Sequence, residues 1–305
     1  MADLSARSHD LDDQFTCPEC KATLTATTID LCCRECAARY PIVDGIPDLF
    51  AGEIEHDPSS EVNRTWLDPA VVEARQTVYD LSTRELRGMA FCMTEIGRRT
   101  CPGCRILEVG MGTGHFTRWL SEVVAPGTRI FAFDYSWPII AQAKANAGGL
   151  PGVTLFRANA RGRLPFPPTS FDILLIRLAP LGPHGVANVQ AGFELLKPGG
   201  WYFEAGWEPK RYDTPPNEWA IQHGYASAEH HVWQYRRVQT GREQAAGRLE
   251  MSAMAALGGE SVAAALEALE SRMEEQDSAG SAAVMTLENL LIAQKPLSVA
   301  KSAVG

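Results

Sequence analysis

The stretch Ile106-Leu107-Glu108-Val109-Gly110-Met111-Gly112-Thr113-Gly114-His115 decides how the chain is read. Four residues with strand character, Ile106 to Val109, run into three glycines at alternate positions, and a helical pattern begins near His115 and Phe116. Glycine is needed where backbone takes a positive φ or must approach a ligand closely. The amides that open a helix can also bind an anionic group. A dinucleotide-binding turn places its third glycine one position later, where His115 stands. The spacing here is GxGxG, with the acidic Glu108 two positions before the first glycine.

Downstream, strand and helix patterns alternate. Strands are expected at 106–109, 129–134, 153–157, 171–176 and 201–205, with helices at 114–124, 137–147 and 186–196. Such alternation gives a parallel sheet covered by helices on both faces. Asp134 closes the second strand 20 residues after Gly114. A carboxylate there can accept both hydroxyls of a ribose, or can cap the next helix. Tyr135 follows it, in reach of an adenine. The third strand runs into Asn159-Ala160, and the fourth into Arg177. An Asn at such a point can both accept and donate a hydrogen bond, or merely shape a turn.

Glu108 with its glycines, Asp134, Asn159-Ala160, Phe171-Asp172 and Leu196-Lys-Pro-Gly-Gly200 together resemble the class I methyltransferases over residues 105–205. The resemblance implies a Rossmann-like α/β domain that binds S-adenosylmethionine. It implies cofactor contacts from Glu108, Gly110, Met111, Gly112, Gly114, Asp134, Tyr135, Asn159, Ala160 and Arg177. The LKPGG stretch is read as the turn before strand five, and Glu288–Ala293 as a last strand.

A second feature lies upstream. Cys17-Pro-Glu-Cys20 is followed after twelve residues by Cys33-Arg-Glu-Cys36. Two CxxC knuckles supply four thiolates for one tetrahedral, structural zinc, in a module too short to build a core of its own. Cys32 is a spare neighbour that breaks the CxxC spacing. The following Tyr40-Pro-Ile-Val-Asp-Gly-Ile-Pro47 makes residues 15–50 similar to the zinc-ribbon activator subunits of tRNA, rRNA and protein methyltransferases. A comparable ribbon precedes the catalytic domain of rRNA guanine-N1 methyltransferases. The expected organisation is a tail over 1–14, the ribbon over 15–50, a linker over 51–67 and the methyltransferase domain over 68–305. One or two helices are expected within 68–99. An Ala-rich helical segment over 243–277 would serve as lid, dimerisation hairpin or surface packing. Cys101-Pro-Gly-Cys104 reads as a plain turn, a redox pair or half a metal site.

The chain has 305 residues, 45% of them apolar, and a formal net charge of −9. An acidic chain is poorly suited to a general grip on phosphates. No apolar run approaches the roughly 20 residues of a membrane span, and the first residues lack a secretory apolar stretch. A cytoplasmic enzyme acting on a small methyl acceptor is expected. An rRNA base methyltransferase is the second reading, and a silent scaffold recruiting a partner is the third. Acceptor contacts are sought in the loops after strands four and five, which hold His184, Trp207, Trp219, His223 and Tyr225. His184 and His223 are the candidates for a general base, since the free imidazole titrates near neutrality.

Overall fold

The computed structural model describes residues 11, 12, 14–51, 72, 87–160, 162–177, 192–206, 214–239 and 282–297. Four short strands come first: β1 (Leu24–Ala26), β2 (Asp30–Cys33), β3 (Arg39–Val43) and β4 (Ile46–Pro47), paired antiparallel in chain order. The larger part runs α1 (Arg87–Arg99), β5 (Arg105–Val109), α2 (His115–Val123), β6 (Arg129–Asp134), α3 (Trp137–Ala147), β7 (Val153–Arg157) and β8 (Phe171–Arg177). It continues through β9 (Leu196–Gly206), α4 (Pro216–Gln222), β10 (Ser227–Gln239) and β11 (Ala282–Gln294).

The last seven strands form one sheet in the order β10-β11-β9-β8-β5-β6-β7. β5 to β9 are parallel, and β11 is inserted antiparallel between β9 and β10. The chain leaves β5 on one side through β6 to β7 and returns on its other side to β8. That reversal opens a crevice beyond the carboxyl ends of β5 and β8, where ligands of such sheets bind.

The strand side chains alternate between two cores. Ile106, Ile130, Leu175 and Phe203 pack under Met93 and Ile96 of α1, Phe116 and Leu120 of α2, and Ile140 and Ala143 of α3. On the other face, Leu107, Phe131, Phe133, Phe156 and Tyr202 meet Trp219 and Ala220 of α4, and also Phe15, Leu24, Leu31 and Leu49 of the four-stranded module. Helices thus lie on both faces as expected, and the small module covers a further part of the second face beside α4. Among the described residues, the connection from β7 to β8 carries no helix.

The module is also joined along the edge of the sheet. Leu49 donates its amide to the Arg157 carbonyl at 2.9 Å, and Thr16 to that of Pro165 at 2.8 Å. The Asp48 carboxylate meets Arg157 Nη1 at 3.1 Å. An otherwise open strand edge is thereby paired. Phe15 is the central plug, with ring centroids 5.2 Å from Phe156, 5.3 Å from Phe166 and 6.1 Å from Phe131. Phe15→Ala should therefore destabilise the large domain as well as the module, by about 3–5 kcal/mol. A urea titration followed by intrinsic tryptophan fluorescence, to which Trp119, Trp137 and Trp201 of the large domain contribute, should show a lower midpoint; an unchanged one would mean that the two parts are independent.

Two sequence expectations are corrected here. The LKPGG stretch is part of β9, not a turn before it. Leu196 pairs with Phe171 but Trp201 pairs with Ile173, so the residues between them bulge out. Gly199 supplies a φ of 76°, and Lys197 Nζ binds the Asp172 carboxylate at 2.8 and 3.0 Å. The expected helix to residue 196 is helical at 192–195 and gives way to strand at Leu196. β10 was not foreseen. Its sequence, SAEHHVWQYRRVQ, is a polar strand that, among the described residues, is bonded on one side alone. The 243–277 segment lies outside the described residues, as does most of the linker.

Candidate functional site

The glycine loop is a tight crossing between β5 and α2. Gly110, Gly112 and Gly114 take φ values of 71°, 57° and 80°, a region that other residues enter at a cost. The amides of Gly110 and Met111 both donate to the Phe133 carbonyl at 3.0 Å, pinning the loop to the end of β6. The other two glycines serve different ends. A Cβ on Gly114 would stand 2.9 Å from Ala143 Cα, so this residue lets α3 pack against the loop. A Cβ on Gly112 would meet nothing within 4 Å. Gly112 therefore keeps a space clear beside the backbone.

Glu108 and Asp134 bracket the loop from the face that carries α1, α2 and α3. Glu108 is fully buried, and Thr117 donates to its Oε2 at 2.7 Å. Its Oε1 is buried and has no hydrogen-bond partner among the described residues. Burial pushes its pKa up to about 7, against the opposing pull of Arg177 and the Thr117 hydrogen bond, while Asp134 adds to the rise. Asp134 accepts from Gly112 N at 3.2 Å, Tyr135 N at 2.8 Å and Ser136 N at 3.3 Å. The helix cap is Ser136, whose hydroxyl accepts from Ile139 N at 3.4 Å. Asp134 is thus left to the loop rather than to capping.

The remaining expected cofactor residues divide. Arg157 Nε donates to the Tyr135 carbonyl at 2.7 Å, which fixes the chain just after Asp134. Asn159 Nδ2 donates to the Ala51 carbonyl at 3.4 Å, and Ala160 lies half-buried beside it. Met111 differs from expectation, since its side chain is buried among α1, α2 and α3 and only its backbone belongs to the loop. Arg177 is buried with its guanidinium 4.8 Å from the Phe116 ring centroid, on the Glu108 face.

His223 is not brought to this site. It ends α4 on the opposite face of the sheet, exposed, stacked on Trp219 at 4.2 Å and paired with the Trp219 carbonyl at 2.8 Å. It stands as a helix-end residue on the face away from Glu108 and Asp134. Trp219 and Tyr225 are core residues of that face. His184 and Trp207 lie outside the described residues. Sequence reasoning missed Thr117, whose signal was a threonine in the buried stripe of α2, and Arg157, which the fold alone connects to Tyr135 and Asp48.

The four cysteines of the module do converge. Cys17, Cys20, Cys33 and Cys36 place all their sulfurs within 4.8 Å of one another, with Cys17–Cys36 at 3.6 Å and Cys20–Cys33 at 3.4 Å. A tetrahedral zinc with bonds of about 2.3 Å spaces its sulfurs roughly 3.8 Å apart. The donor set fits, and it leaves no open coordination position. Cys32 points away, its thiol donating to Asp30 Oδ1 at 3.1 Å.

A protein family described as a methyltransferase domain matches residues 106–200. Among curated proteins, the demethylmenaquinone methyltransferase of Geobacillus stearothermophilus is 34% identical over 97 residues, which is 31% of this chain and 38% of that protein. The ubiquinone/menaquinone biosynthesis C-methyltransferase UbiE of Pasteurella multocida is 31% identical over 108 residues, 32% of this chain and 38% of that protein. The chain thus spans less than half the length of these curated relatives. Among solved structures, Haemonchus contortus phosphoethanolamine N-methyltransferase 2, in complex with S-adenosyl-L-methionine, aligns with a TM-score of 0.50 and 18% identity, covering 85% of this chain and 62% of that one. At that identity the likeness shows the fold: a methyltransferase-type Rossmann-like sheet. Among the described residues, no helix is long and apolar enough to cross a membrane.

Proposed function

We propose that the chain is an S-adenosylmethionine-dependent methyltransferase that acts on a small organic molecule. One observation carries this reading: the buried, half-partnered Glu108, the open side of Gly112 and the Asp134 carboxylate converge at one loop of the matched domain. Bound there, the cofactor would supply an electrophilic methyl group on a sulfonium. Glu108 would hold its ammonium group, the Gly110–Gly114 backbone its amino-acid end, Asp134 its ribose hydroxyls and Asn159 the adenine edge. Tyr135, Ala160 and Arg177 would line the same site. Orientation and exclusion of water are the work this reading assigns to the chain's own residues.

The names of the curated relatives, which are small-molecule methyltransferases, support a small acceptor. The acidic net charge of −9 supports it as well. The four cysteines would hold a structural zinc. Their ribbon acts in cis on this reading: Asp48 holds Arg157, and Arg157 holds the carbonyl next to Asp134. To test the acceptor class, cell extract is labelled with methyl-tritiated cofactor and the protein, with and without nuclease treatment. Label is expected in nuclease-insensitive, low-mass material. Label lost on nuclease treatment would favour the RNA reading, and no label at all the scaffold reading.

The pH dependence has a definite sign. In the free protein, a carboxyl raised from 4.5 to about 7 is most compatible with folding when protonated. Its contribution to stability is fully present below 4.5 and is lost as pH rises through about 7. Cofactor binding runs the other way, because an ammonium needs the carboxylate. The ionised fraction of Glu108 rises about tenfold from pH 6 to pH 8, the cofactor's α-ammonium is about half lost by pH 8, and affinity should therefore rise about fivefold. Glu108→Gln should weaken binding and flatten that rise; a slope retained in the variant would remove Glu108 from the role.

A further inference from the structure

Cys101-Pro102-Gly103-Cys104 belongs neither to the four-cysteine module nor to the glycine-loop site. It joins the end of α1 to the start of β5, at the amino edge of the sheet. The glycine loop is at the opposite end of the same strand. The four residues form a closed turn: Cys104 N donates to the Cys101 carbonyl at 3.0 Å. Pro102 pre-sets the first central position, and Gly103 takes the positive φ, 82°, of the second. The two sulfurs are thereby held 3.1 Å apart, and Cys101 N–H also donates to Cys104 Sγ at 3.1 Å. Cys101 is exposed, while Cys104 is 3% exposed.

These features differ from those of the ribbon cysteines. Among the described residues, groups of three or more metal-type side chains occur at the ribbon tetrad alone. Among the described residues, then, the pair has no further ligands to complete a zinc site. A disulfide needs Cα atoms within about 4.4–6.8 Å and sulfurs at about 2.05 Å. A β-turn brings its ends within about 7 Å, so closing this bond asks for a sulfur shift and little backbone movement.

We propose that Cys101 and Cys104 are a reversible dithiol–disulfide couple, oxidised by small disulfides of the glutathione class. The exposed Cys101, as thiolate, attacks one sulfur of the small disulfide and displaces the other as a thiolate, giving a mixed disulfide on Cys101. Cys104 Sγ then loses its proton and attacks the Cys101 sulfur, displacing the second small thiolate. Two protein thiols and one small disulfide become one protein disulfide and two small thiols. Burial pushes the Cys104 thiol up to about 11, so it keeps its proton in the reduced state and acts second. This couple is independent of the methyl-transfer reading.

The sequence supplies a clean readout. Cleavage after Arg99 and Arg105 releases Thr100–Arg105, a peptide holding these two cysteines and no others. The full-length, zinc-loaded protein is equilibrated across glutathione redox buffers, quenched in acid, alkylated and cleaved. The peptide is expected to lose both alkylation sites together, in one two-electron transition that dithiothreitol reverses completely. In Cys104→Ser, Cys101 should stop at the mixed disulfide. In Cys101→Ser, the buried Cys104 should stay alkylatable over the range where the parent pair is oxidised. Two results would each overturn the proposal: full alkylation at every ratio, or a parent protein that stops at the Cys101 mixed disulfide.

Discussion

Cys17→Ser combined with Cys20→Ser is expected to release the metal and to unfold the methyltransferase domain together with the ribbon. Cys17 is fully buried and belongs to the same apolar cluster as Phe131, Phe133 and Phe156 of the large sheet. Without the metal, β1 to β4 keep only their short ladders and their contacts with the sheet, and so short a module has little core of its own. The aromatic face beneath it would then be open to water. Zinc contributes on the order of 10–16 kcal/mol to the folding of small zinc modules. A whole domain is stable by about 5–15 kcal/mol. The first quantity is large enough to consume the second, so the double variant should be mostly unfolded or insoluble at 25 °C. Metal content by mass spectrometry and the far-ultraviolet melt check this directly. A melt unchanged from the parent, with the zinc gone, would show that the ribbon is a passive appendage.

The second large effect is on binding rather than folding. Gly112→Val should abolish cofactor binding, weakening it by more than about 100-fold, or roughly 2.7 kcal/mol. The side chain would stand where a Cβ now meets nothing within 4 Å. Its left-handed backbone, at φ 57°, adds a folding cost of about 1–2 kcal/mol. Gly114→Ala is the contrasting case. Its Cβ would strike Ala143 Cα at 2.9 Å, so α3 must move and the melting temperature should fall further than for the larger valine. If Gly114→Ala melted like the parent while Gly112→Val lost most of its stability, the division of roles between these glycines would be wrong.

The contrast between these glycines shows what the sequence could carry. Spacing alone marked Gly110, Gly112 and Gly114 as a turn between strand and helix, and marked Glu108 and Asp134 as its neighbours. Those features are local, and the structure brings them together as expected. Which glycine spaces a ligand and which spaces a helix depends on where α3 packs, a long-range fact. β10 was illegible for a related reason. An edge strand that is half solvated need not alternate cleanly, and its pairing partner is some fifty residues away in the chain. The four-cysteine module was legible as a set of candidate ligands but not as a cover on the sheet. Phe15 and Leu49 look unremarkable in sequence, and their role appears once Phe156 and Arg157 lie opposite them. His223 was marked by its imidazole and its place after strand five, and the structure sets it at the end of α4, stacked on Trp219.

The most direct test is calorimetric titration of the zinc-loaded chain with S-adenosylmethionine and with S-adenosylhomocysteine at pH 8, with Gly112→Val as control. One equivalent of either ligand should bind the parent, with no heat of binding to the variant. No binding to the parent, or equal binding to both proteins, would contradict the placement of the methyl donor at the Gly110–Gly114 loop.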